Sequence, residues 1–417
     1  MRFAVACALI LLPSAAFAQD MPGMDMSGGM PAMATTGILG NYPMARDASG
    51  TSWQPDAATH RGIHLMDGNW MFMLHARAIG IYDTQSGPRG ADQAFLSGMA
   101  MGAARYDFPG GDTFNVRAMA SFEPFMGPRG YPLLLQTGET ADGVTTLVDR
   151  QHPHDLLMEL SAAYSHRLSG DSAVFAYAGY PGEPALGPTA FMHRVSGEDI
   201  PDAPITHHWL DSTHVAFGVV TLGAVWNDWK LEVSRFTGRE PDQFRFNFDP
   251  ARFDSSSARL SWNPDAHWSL QASWGFLKSP EQLAPAVNET RYTASATYFT
   301  PLGDDGSFAA TLAFGRKQLS GSGGENGFLA EAEYKPADAW TIFARAETIE
   351  SRELFAGPAL ATAGQLTLGA IHDWRLAEHL AFGVGGLYAF DFVPSAPLPA
   401  YGAAPHGAMV FLRLIAE

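Results

Sequence analysis

The sequence predicts an all-β protein, a transmembrane antiparallel β-barrel of about 16 strands with short periplasmic turns and long extracellular loops. Three observations predict it. Apolar and polar residues alternate with period two in one stretch after another from Asn69 to the C-terminus. Tight turns and long links separate those stretches in strict alternation. The chain opens with an export leader and then a methionine-rich stretch without periodicity.

At the N-terminus, Arg2 precedes an apolar run over residues 3–12, and Ala16-Phe17-Ala18 sets small residues at −3 and −1 for cleavage. Residues 1–18 therefore read as a signal peptide. Residues 19–67 hold Met, Gly, Pro and small polar residues with no period, and read as a disordered Met-rich periplasmic segment. Residues 68–417 read as the barrel.

Within the barrel region, Trp70, Phe72 and Leu74 share one parity and Met71, Met73 and His75 the other. Trp229, Leu231 and Val233 alternate with Lys230, Glu232 and Ser234, and Trp268, Leu270, Ala272 and Trp274 with Ser269, Gln271 and Ser273. Short turns are expected at Pro109-Gly110-Gly111, Ser169-Gly170-Asp171, Asn227-Asp228, Pro264-Asp265-Ala266, Gly303-Asp304-Asp305, Pro336-Ala337-Asp338 and Ala377-Glu378. Long links are expected over 82–94, 125–154, 181–212, 239–255, 278–288, 317–325, 350–363 and 392–405. Trp226, Trp229, Trp262, Trp268, Trp340 and Trp374 near strand ends suit an interfacial girdle. A Lys at Leu231 or Leu270 should cost about 2–4 kcal/mol at mid-bilayer, and at Ser273 almost nothing.

A net charge of −17 argues against nucleic acid as a partner and favours cations. The one cysteine, Cys7, lies in the signal peptide, so any metal must be held by Met, His or carboxylates. Three groups of such residues stand out. Met21, Met24, Met26, Met30 and Met33 put five thioethers in thirteen residues, and thioether sulfur selects Cu(I). By parity, Met71, Met73, His75, Met99, Met101 and Met119 project from three consecutive strands to the inner wall, either as a soft-ligand surface or as gap-filling side chains. His152 and His154 in one long link, and His193, His207, His208 and His214 in and just beyond the next, suit Cu(II), Zn or Ni, or else a pore constriction. Arg77, Arg105 and Arg117 are set to oppose Glu123, Asp155 and Glu159 across the lumen. No serine stands in a nucleophile elbow, and neither a phosphate loop nor a zinc-protease motif is present, so no enzymatic activity is expected.

From about residue 69 onward the chain resembles Gram-negative outer-membrane β-barrels as a class. Its last strand departs from many of them, ending Ile415-Ala416-Glu417, with Phe411 as the aromatic in the assembly signal. The methionine tail resembles the Met-rich N-terminal segment of copper resistance protein B and other exported copper-handling proteins. Together these imply a cell outer-membrane location and copper binding, efflux or tolerance, with the tail capturing Cu(I). No cofactor is required, and copper is the ion implied. The implied partners are outer-membrane lipid, the barrel-assembly machinery and periplasmic copper proteins. The alternative is a general diffusion porin, or a structural outer-membrane protein, with no metal role.

Overall fold

The computed structural model describes residues 36–59, 61–337, 339–355, 359–395 and 397–417. The signal peptide and Met21, Met24, Met26, Met30 and Met33 of the tail lie outside the described residues. Sixteen antiparallel strands close a barrel: Trp70–Gln85, Asp92–Asp107, Thr113–Ser121, Leu157–Ser169, Ser172–Gly179, Val219–Trp226, Trp229–Phe236, Ser255–Asp265, Trp268–Leu277, Glu289–Leu302, Gly306–Leu319, Gly323–Ala337, Trp340–Ser351, Ala361–Ala377, Leu380–Phe392 and His406–Ala416. Each pairs with its neighbour in the chain. The last pairs with the first, from Gly407 opposite Gln85 to Ala416 opposite Ala76. Where the last strand runs out, Ile63–Asp67 folds back and pairs with the start of Trp70–Gln85. Closure gives each of the sixteen strands a partner on both sides, which a sheet in hydrocarbon requires.

The burial pattern is that of a barrel with lipid outside. Leu231 and Val233 are 46% and 52% exposed on the outer surface, while Lys230 and Glu232 between them are 0% exposed. A soluble sheet would put the apolar pair in and the charges out. Trp70, Phe72 and Leu74 likewise point outward, and Met71 and Met73 are buried inward. The exposed Trp226, Trp262, Trp268, Trp340 and Trp374 flank the short turns at one end, where Trp229 stacks on Trp262 at 4.9 Å. This is the girdle the sequence suggested. Short turns mark the periplasmic end in barrels of this class.

Three details differ from the sequence reading. Residues 36–59, read as part of a disordered segment, are packed inside the barrel. Leu39, Tyr42 and Trp53 join a buried cluster with Phe175, Tyr177 and Leu186. The irregular backbone there is held by the wall: Arg105 and Lys230 donate to the carbonyls of Thr36 and Thr51, Arg117 to that of Ala48 at 3.3 Å, and the Ser165 hydroxyl to that of Leu39 at 2.8 Å. A stretch without periodicity can thus be ordered by donors on a surrounding surface. The link 317–325 is a short turn, because the ladder continues through Lys317 opposite Glu325. The link after Thr113–Ser121 contains its own hairpin, Tyr131–Thr140 with Thr146–Gln151, outside the barrel sheet.

Candidate metal-binding lumen

The loop over residues 180–218 determines what the interior can do. It leaves Ser172–Gly179 and returns at Val219–Trp226, and nearly all of it is buried within the barrel. Prolines and glycines break any periodic structure, so its polar backbone needs partners from the wall. Inward charges supply them. The Arg194 guanidinium donates to both oxygens of Glu331 (2.5 and 3.2 Å) and to Asp211 (3.1 Å). Asp199 accepts from Arg413 at 2.5 Å and Lys335 stands 2.8 Å away. The Glu347 carboxylate accepts from the Thr206 backbone N–H at 2.9 Å, and Arg345 pairs with Asp202 at 3.0 Å. Trp209, fully buried, fits where wall strands carry glycine: a Cβ on Gly327 would lie 2.8 Å from its Cγ, and one on Gly315 2.3 Å from its carbonyl oxygen. Of the opposed charges expected from sequence, only Arg117 meets its carboxylate, Glu159, at 2.9 Å. Arg77 pairs with Asp199, Arg105 with Asp107, Glu123 with His154, and Asp155 with Arg245. Partner choice here depends on how the loop folds, which strand parity does not encode.

Beside this loop lies a chamber of about 110 Å³ whose lining includes Met44, Met71, Met73, Met101, Met192, His75 and His193. These methionines and histidines come from the N-terminal segment, two adjacent strands and the plugging loop, and Asn115, Arg117 and Glu159 of the next two strands complete the lining. His75 and Met101 are cross-strand partners, and Met101 is in turn opposite Met119. Met99, Met119 and Met158 form a buried cluster, with Met101 and Met192 packed against it. A smaller cavity of about 50 Å³ is lined by Met99, Met158, Met192 and His154. At the short-turn end a wider space of about 660 Å³ shares Arg61, Val195 and Glu198 with the chamber. Every inward methionine expected from parity is on this wall. Met44, Met158 and Met192 were missed. Met158 and Glu159 are consecutive yet both buried, because a bulge at Met119/Ala120 interrupts the alternation, and the other two lie outside regular strands.

The histidines gather where this loop meets the link before Leu157–Ser169. His152, His154, His207, His208 and His214 are all buried, with neighbouring ring centroids 5.0–6.3 Å apart. His193 stands apart in the methionine chamber, where burial first and the nearby His75 second push its imidazole down to about 4. Burial, then neighbouring cationic and imidazole groups, holds His152 and His214 well below the ordinary histidine range. They are therefore neutral imidazoles at pH 7. Each of the five rings has Nδ1 near an acceptor: His154 at 2.8 Å from Glu123, His207 at 2.7 Å from Asp211, His214 at 2.7 Å from the Asp211 carbonyl, His152 at 3.3 Å from Glu139, and His208 at 3.4 Å from Glu240. His208, Glu240 and Glu281 also bring ligand atoms within 4.8 Å of one another. Glu123, Glu139 and Glu240 were not among the residues the sequence singled out as ligands, because their role is set by what they touch.

The architecture is that of an outer-membrane β-barrel. No protein-family model matches the chain, and no curated protein matches it by sequence. Among solved structures, the chain is similar to OmpF of Salmonella typhi, determined as a complex with daunomycin. The TM-score is 0.52 at 10% identity, over 85% of this chain and 100% of that one. It is also similar to OprB of Pseudomonas putida at high pH, with a TM-score of 0.50 and 10% identity, over 83% of this chain and 94% of the other. At that identity the likeness speaks for the fold: a porin-like barrel, consistent with a Gram-negative outer membrane.

Proposed function

We propose that this barrel is an outer-membrane channel protein that handles copper, binding Cu(I) in the methionine chamber. The observation that carries the reading is the chamber itself. Five thioethers and two imidazoles line one space of about 110 Å³, beside the Arg117–Glu159 and Arg61–Glu198 ion pairs at its rim. Neutral, polarisable sulfur suits Cu(I) and offers little to hard cations. The chamber adjoins the wider space at the short-turn end, the side from which a periplasmic ion would arrive. The tail methionines Met21, Met24, Met26, Met30 and Met33 would then collect Cu(I) before it enters. No group in the lumen is assigned a catalytic role.

The test is Cu(I) titration of the full-length protein in detergent, under reducing conditions against a competing chelator. The fourfold variant Met71→Leu, Met73→Leu, Met101→Leu, Met192→Leu keeps side-chain volume, and such exchanges usually cost under about 1.5 kcal/mol each. The expected result is a folded barrel that has lost one Cu(I) equivalent, or at least tenfold in affinity for it. Unchanged stoichiometry and affinity would reject the chamber. A second reading, general diffusion, is supported by the likeness in fold to OmpF and OprB. It expects single-channel steps in planar bilayers that are indifferent to copper.

A further inference from the structure

We infer that the buried histidines form a second metal site, distinct from the methionine chamber, that takes a borderline divalent cation such as Zn²⁺ or Cu²⁺ on His154 and His214. A carbonyl oxygen only accepts, so His214 Nδ1, 2.7 Å from the Asp211 carbonyl, carries its proton. Glu123 Oε2 accepts from both the backbone N–H of His154 (3.0 Å) and its ring Nδ1 (2.8 Å). An oxygen that already accepts the backbone N–H is an acceptor for the ring as well, so His154 Nδ1 carries a proton too. In neutral rings both Nε2 atoms are then bare lone pairs, and they face each other at 2.9 Å.

Two lone pairs at that distance repel unless a cation lies between them. A shared proton would make His154 an imidazolium against the Glu123 carboxylate, and would leave nothing for Zn²⁺ titration to find. A metal ion requires no such protonation. With bonds of about 2.0–2.1 Å and a tetrahedral angle it would hold the nitrogens about 3.3 Å apart, a few tenths of an ångström more than observed. The surroundings repeat the same preparation. His207 donates Nδ1 to Asp211, leaving its Nε2 as the next donor, with its ring 5.2 Å from that of His214. His152 and His208 have Nε2 atoms that are buried with no hydrogen-bond partner. Imidazole anchored at one nitrogen by a carboxylate or carbonyl, with the other left bare, is how metal-binding histidines are oriented.

This site stands independently of the chamber, and the two can fail separately. The probe is Zn²⁺, which is redox-inert and favours imidazole over thioether. It is titrated into the full-length, chelator-stripped protein in detergent, with folding checked by electrophoretic heat-modifiability. The expected result is one equivalent bound with a Kd at or below micromolar. His214→Gln or His154→Gln should weaken it at least a hundredfold. Glu123→Gln leaves every ligand in place but loosens one anchor, and should weaken it about 10–100-fold. The fourfold methionine variant should bind Zn²⁺ as the parent does. Loaded with Cu²⁺, the protein should show nitrogen superhyperfine structure in its EPR spectrum. Zn²⁺ affinity weaker than about 100 μM, affinity untouched by His214→Gln, or a Cu²⁺ spectrum without nitrogen coupling would each overturn the site. Should the histidine variants not fold, Glu123→Gln and the EPR spectrum still decide it.

Discussion

Exchanging Arg194 for methionine is expected to undock the plugging loop and raise ion conductance through the barrel. Arg194 is fully buried, and its guanidinium joins the loop to the wall through Glu331 and to the loop's own Asp211. Methionine keeps much of the volume but leaves two buried carboxylates without their cation. Breaking a buried pair from one side costs about 3–5 kcal/mol, a factor of roughly 10² to 10⁴ in the docked-to-undocked ratio. The strands themselves keep every ladder bond, so the barrel should still fold. Planar-bilayer recordings and limited proteolysis of residues 180–218 check both halves. A variant as closed and as protease-resistant as the parent would show that the loop is held by its backbone contacts, with Arg194 incidental.

The second large effect concerns the outer surface. Leu312 sits mid-strand in Gly306–Leu319 and is 65% exposed. Leu312→Lys should destabilise the barrel in lipid vesicles by about 2–4 kcal/mol, the cost of a cation near the bilayer midplane. Denaturant unfolding followed by tryptophan fluorescence measures it, and a loss under about 0.5 kcal/mol would remove that face from lipid. The inward control departs from the sequence expectation. Ser273 was expected to accept lysine freely, as in a water-filled pore. Its hydroxyl instead accepts from the Gly187 N–H at 2.9 Å and lies 2.7 Å from the Thr293 hydroxyl. Ser273→Lys must overpack a filled interior and should cost about 1–3 kcal/mol.

These two positions show what was legible in the sequence and what was not. Strand facing is a local property. Lys230 beside Leu231, or Met71 beside Phe72, declares its side by parity alone, and tight turns such as Asn227-Asp228 fix where each strand ends. The five inward methionines of the first three strands were readable for that reason. What fills the barrel is non-local. The order of residues 36–59 comes from donors such as Arg105 and Lys230, more than sixty residues away in the chain. Met44 and Met192 join the chamber from irregular segments with no period to read. The six loop histidines were visible as a cluster in sequence. That five converge while His193 goes elsewhere depends on anchors such as Glu123, 31 residues from His154, and no spacing rule announces those.

Asp211 has a consequence beyond anchoring. Its two carboxylate oxygens bind His207 and Arg194, and its carbonyl orients His214. Two residues before Arg194 in the same loop, Met192 lines the sulfur-rich space. One short length of chain therefore belongs at once to both proposed ion pockets and to the bolt that fastens the lid. If the pockets hold ions as proposed, withdrawing the bolt would dismantle them, and an ion seated in either one would resist its withdrawal. Occupancy and passage would then be interlocked: a loaded barrel would be a shut one, and an ion could leave only as the shutter gives way.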